Sequence, residues 1–128
     1  MKKIIITAIF IIFSFHNILY AAGGSSGNSK SLYDQAVNLI KSAKKYEKKG
    51  KTNKANKRYE KALKLLIKEN KKKPNQPDTL NYLGFTTRKL GDYSNGEKYY
   101  LQGLAIDPKH NGINEYLGCL LYTSDAAD

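Results

Sequence analysis

Leu83-Gly-Phe-Thr-Thr-Arg-Lys-Leu-Gly-Asp-Tyr-Ser-Asn-Gly-Glu-Lys-Tyr-Tyr-Leu-Gln-Gly-Leu104 is the stretch that decides the fold. Gly91 can adopt the left-handed conformation that ends a helix, and Asp92 can cap the next one. Working outward, Pro77 suits the first turn of a helix, where its missing donor is no loss, and Asp78 adds a carboxylate at the positive end of the helix dipole. Pro108 stops the second helix after Asp107. The pattern therefore predicts one helix from Pro77 to Leu90 and another from Asp92 to Asp107, joined by a turn at Gly91.

The same pattern recurs on both sides. Leu117-Gly118 repeats Leu83-Gly84 after 34 residues. Upstream, Gly50, Ala55, Tyr59, Ala62 and Leu63 match Gly91, Gly96, Tyr100, Gly103 and Leu104 at a constant offset of 41, and the seven extra residues fit Asn70 to Gln76. Leu32, Ala36, Leu39, Ile40, Ala43 and Tyr46 recur at helical spacing, as do Ala55, Tyr59, Ala62, Leu63, Leu66 and Ile67. Both segments read as amphipathic helices, with Gly50 as the turn between them.

Leu83-Gly84, Lys89 to Tyr93, Gly96, Tyr99-Tyr100, Gly103-Leu104 and Pro108 fall at the spacings of one tetratricopeptide repeat, and the chain resembles that family. The resemblance implies an all-α stack of helix-turn-helix units, a fragment of an α-solenoid. Residues 32–76 would be a first, degenerate hairpin with a basic insertion, 77–110 the clear repeat and 111–118 the start of a further one. Such hairpins bury their apolar faces by stacking, and small residues let the backbones approach. Ala55, Ala62, Gly84, Gly96 and Gly103 are expected at those close contacts. Leu83, Leu104 and the tyrosines Tyr46, Tyr59, Tyr82, Tyr93 and Tyr100 are expected to fill the space between helices. Thr87 departs from the family pattern, standing where a large apolar residue belongs. Two glycines stand where alanine is common, each costing about 1 kcal/mol of helix stability. The clear repeat is thus expected to be loose.

The two ends call for other readings. Residues 1–22 resemble a secretory signal peptide: Lys2 and Lys3 are the charged start, Ile4 to Phe15 the apolar stretch and Ala21-Ala22-Gly23-Gly24 the small-residue exit, with cleavage expected after Ala22 or Gly23. Export to the periplasm of a Gram-negative bacterium is the expectation, with contact to membrane only through an uncleaved signal. Residues 23–31, rich in Gly and Ser, read as a flexible linker. The last ten residues, Cys119 to Asp128, resemble one reading frame of a transposase-type DNA-library adapter. They are expected to be a non-native tail on a truncated fragment.

Composition narrows the function. The formal net charge is +11, and 15 Lys or Arg stand against three Glu between Lys41 and Lys73. Such a surface attracts anions by long-range steering. Nucleic-acid binding would interleave Lys with accessible aromatics, whereas Tyr46 and Tyr59 fall at core positions. The single cysteine, Cys119, lies in the suspect tail, so no disulfide or zinc site is expected. His16 lies in the signal and His110 stands alone as an exposed turn residue, so neither a metal cluster nor a His-based triad can be assembled. Gly50-Lys51-Thr52 resembles the end of a phosphate-binding loop, but Lys45 stands where that loop needs glycine.

By resemblance, the first helix of each unit would line a groove for an extended peptide or partner helix. Asn81, Phe85, Arg88 and Lys89 would face it, joined by Ile40, Lys44 and Lys48. Lysine and arginine there suit acidic side chains or a chain-terminal carboxylate, and Asn81 a peptide backbone. Phe85 departs from the family's carboxylate-clamp set. The expectation is a non-enzymatic scaffold that binds a protein or an acidic peptide, without cofactor, metal or nucleic acid. The alternative is the N-terminal adaptor part of a larger envelope enzyme or transporter. A third reading is a basic module docking on anionic membrane or nucleic acid.

Overall fold

The computed structural model describes residues 30–125, with side chains described through Cys119. The expected signal and most of the expected linker, residues 1–29, lie outside the described residues, as do the side chains of 120–128. The described chain is all helical: α1 (Leu32–Lys48), α2 (Thr52–Lys72), α3 (Pro77–Lys89), α4 (Tyr93–Ile106) and α5 (Asn111–Asp125). None of these helices is long and apolar enough to cross a membrane.

Local signals set the boundaries. Ser31 caps α1 by accepting from the Asp34 N–H at 3.0 Å, and Asp92 caps α4 by accepting from the Asn95 N–H at 3.2 Å. Pro77 opens α3, as its ring geometry favours. Gly50 and Gly91 have φ of +67° and +95°, and each reverses the chain between two antiparallel helices. The proposed insertion is partly absorbed, because α2 runs on through Asn70, Lys71 and Lys72 before the chain turns.

Packing is pairwise. α1 lies along α2 and α3 along α4, and the two hairpins join mainly through α2 and α3. α1 also touches α3, and α5 touches both α3 and α4, so α1, α3 and α5 are neighbours along one side. One core runs through the hairpins: Ala36, Ile40, Ala43, Ala55, Tyr59, Ala62, Leu66, Leu80, Leu83, Phe85, Tyr100 and Ile113 are all buried. Gly84 and Gly96 mark the closest approach of α3 and α4. A Cβ on Gly84 would lie 2.6 Å from the Tyr100 ring and 2.9 Å from the Gly96 carbonyl oxygen. A Cβ on Gly103 would run into the Ile113 side chain of α5.

Several sequence expectations need correction. Tyr93 does not fill the space between helices; as the first residue of α4 it projects outward and is 63% exposed. Ile67 is likewise exposed, at 38%, because α2 turns it away from α1. His110 is no exposed turn residue. Its side chain is only 13% exposed; Nδ1 accepts from the Ile113 N–H at 3.2 Å, and Nε2 lies 3.0 Å from Asp78 Oδ1. That pattern fits the tautomer with hydrogen on Nε2, which caps α5 and ties it to the start of α3.

Candidate functional site

The side formed by α1, α3 and α5 carries the residues singled out for binding, and Phe85 lies at its centre. Leucine, tyrosine and glycine on α3 and α4 turn that stretch of α3 inward, leaving Phe85 3% exposed. Its ring meets Tyr59 at 6.0 Å and Tyr116 at 5.1 Å between centroids. Lys44 of α1 places its ammonium 4.5 Å from the Phe85 centroid, and Lys89 lies 5.8 Å from it. Two cations beside one aromatic ring are held by its quadrupole, here within reach of solvent.

Glu47 balances half of this charge. Lys89 Nζ lies 3.1 Å from Glu47 Oε1, and the Tyr59 hydroxyl donates to Glu47 Oε2 at 2.9 Å. Burial, followed by that hydrogen bond, pushes the Tyr59 ionisation well above the ordinary tyrosine value, so the phenol stays a donor. Lys44 has no carboxylate partner among the described residues; its ammonium reaches only the Tyr116 hydroxyl, at 3.5 Å. The one uncompensated cation at Phe85 is therefore Lys44.

The other expected residues divide. Arg88 turns toward α5 and donates to the Tyr116 carbonyl at 3.4 Å, a structural tie. Asn81 is 8% exposed, packs its amide nitrogen against Gly112, and leaves its buried Oδ1 without a partner. Lys48 is exposed one turn beyond Lys44. Thus Lys44, Phe85 and Lys89 come together, Lys48 and Asn81 flank them, and Arg88 serves the packing. Sequence reasoning missed Glu47 and Tyr116. Glu47 is the only acid between Lys41 and Arg58, and that isolation was the available signal. Tyr116 sits where Tyr82 stands one unit earlier, 34 residues before.

Among the described residues no group of three or more His, Cys, Asp or Glu side chains is placed to hold a metal ion. Comparison with known proteins gives no match: no family model fits the chain, and no curated protein or solved structure is significantly similar to it.

Proposed function

We propose that the chain is a tetratricopeptide-repeat scaffold of the bacterial envelope, non-enzymatic, that holds an acidic extended peptide or partner helix against the α1, α3 and α5 side. Repeat architecture is supported by equivalent environments at an offset of 41. Ala55 and Gly96, Tyr59 and Tyr100, and Ala62 and Gly103 are buried in pairs, and both turn glycines are left-handed. Export rests on the character of residues 1–22.

The observation that carries the binding role is Lys44: an exposed cation held at 4.5 Å over a buried aromatic ring, with no carboxylate of its own. A carboxylate from a partner would complete it by a charge-assisted hydrogen bond, in register with the Lys89 and Glu47 pair. Lys48, one turn along, would take the next acidic side chain.

An array of extended peptides, acidic against amide-substituted, probed with the parent chain tests this reading. Lys44→Gln with Lys48→Gln should weaken retention of acidic peptides at least about tenfold, the worth of one charge-assisted contact of roughly 1.5–3 kcal/mol. Lys71→Gln on the far side of α2 should leave it unchanged. Equal retention by the double variant, or no preference for acidic over amide peptides, would overturn the assignment.

A further inference from the structure

The solvent side of α2 carries a second charged feature, apart from the Phe85 side. Lys54, Lys57, Lys61, Lys64, Lys68 and Lys71 follow one another at spacings of three and four residues, and all are exposed. At 3.6 residues per turn these spacings hold the six ammonium groups on one side over about 25 Å of helix axis. Ala55, Tyr59, Ala62 and Leu66 occupy the opposite, buried side. Among the described residues none of the six has a carboxylate within 4 Å; the ion pairs engage Lys73, Lys89 and His110 instead.

A merely solvated helix face usually alternates sign, since like charges three and four residues apart destabilise a helix. Here Glu60 alone interrupts the basic arc, and α2 has no acidic residue in its first turn. Lys54, Lys57, Arg58 and Lys61 also line, with Tyr46, a surface pocket of about 380 Å³. The self-repulsion of this face would be relieved by an extended anionic surface.

We propose that the lysine face of α2 docks on an anionic phospholipid bilayer. Three observations select that occupant. The lysines form a straight row on a convex helix rather than a groove that could track a strand. The aromatics that nucleic acid would stack on are spent: Tyr59 is fully buried, and Tyr46 is half-buried with Lys54 and Arg58 each 5.9 Å from its ring centroid. In the uncleaved chain the hairpin follows the apolar residues 4–20 after only the short stretch 21–31. Eleven residues of such a linker reach about 17–20 Å, which keeps the hairpin near any bilayer that receives the apolar segment. Polybasic segments in that setting bind anionic leaflets, each lysine contributing about fivefold.

The full chain is tested by co-sedimentation with vesicles of phosphatidylcholine alone and with 30% phosphatidylglycerol, at low and high salt. The apolar segment contributes to both vesicle types, so the difference between them isolates the lysine face. The parent should prefer the anionic vesicles at least about tenfold at low salt, losing most of that preference at high salt. Lys57→Gln, Lys61→Gln, Lys64→Gln and Lys68→Gln together should abolish the preference while leaving the helical circular dichroism and the retention of acidic peptides through Lys44 unchanged. Equal partitioning of parent and variant onto anionic vesicles would overturn the proposal. So would release of the parent from those vesicles by duplex DNA or polyglutamate at equal charge, which would assign the face to nucleic acid or to an acidic protein.

Discussion

The second hairpin crosses at Gly84 and Gly96; 41 residues earlier in the first, the corresponding positions are Ala43 and Ala55, both fully buried. The large tyrosines correspond too, Tyr59 in α2 and Tyr100 in α4. Their surroundings differ. Tyr59 donates to Glu47 at 2.9 Å, whereas the position equivalent to Glu47 in α3 is Arg88, which bonds the Tyr116 carbonyl and leaves the Tyr100 hydroxyl without a partner. Burial drives the ionisation of Tyr100 upward, and the nearby Arg88 opposes that only in part. Thr86 and Thr87 add two more buried hydroxyls without partners, while α1 and α2 contribute only Asn70 to that set. The first hairpin has a core satisfied but for Asn70, under a self-repelling surface. The second has a balanced surface over a polar, glycine-rich core.

The largest effect is expected at the α3 and α4 crossing. Gly84→Leu drives a side chain into the Tyr100 ring and the Gly96 carbonyl, and should destabilise the fold by about 3 kcal/mol or more in chemical denaturation. Gly118, its counterpart in α5, has nothing within 4 Å of a Cβ, so Gly118→Leu should destabilise nothing and should gain up to about 1 kcal/mol from helix propensity. Equal losses at the two glycines would mean that α3 and α4 do not approach closely at Gly84.

A smaller and sign-reversing effect is expected at the tyrosines. Tyr59→Phe strands Glu47 beside Lys89 and should cost about 1 kcal/mol, while Tyr100→Phe deletes an unsatisfied hydroxyl and should be neutral or stabilising by a similar amount. Thermal melts of the two variants against the parent provide the check. Thr87→Val follows the same logic and should raise stability by about 0.5–1 kcal/mol, because its hydroxyl is buried and unpaired and valine keeps the shape. A loss on Thr87→Val would mean that the hydroxyl has a partner in solution. A small loss, roughly 0–1 kcal/mol, is expected for Lys89→Gln, since its pair with Glu47 is one-third exposed on both sides.

Much of this was legible in the residues themselves. Helix ends at Pro77, Gly50, Gly91 and Asp92 were readable because each rests on a local backbone or capping requirement, satisfied within a few residues. The small residues at the crossings were readable through their recurrence. What escaped was long-range. Tyr93 and Tyr100, seven residues apart, share one side of α4; Tyr93 stays exposed because it is the first residue of the helix, whereas Tyr100 lies in its buried middle. His110 looked isolated because its partners, Asp78 and the Ile113 N–H, meet it only once α5 folds back on α3. At the proposed binding side, the basic residues were identifiable, but not their partners: Arg88 bonds the Tyr116 carbonyl, Lys89 pairs with Glu47, and Lys44 reaches the Tyr116 hydroxyl but, among the described residues, no carboxylate.

The two hairpins, matched in shape, are weakened by different forces, charge in the first and unsatisfied polarity in the second. Units in a stacked helical array can open separately, and salt screens only the first of these forces. Native-state hydrogen exchange at about 0.05 M and 0.5 M salt tests it directly. Protection of the α1 and α2 amides should rise with salt, by roughly 1 kcal/mol in opening free energy, while that of α3 and α4 stays nearly constant. An equal rise in both hairpins, or a rise confined to α3 and α4, would contradict the account.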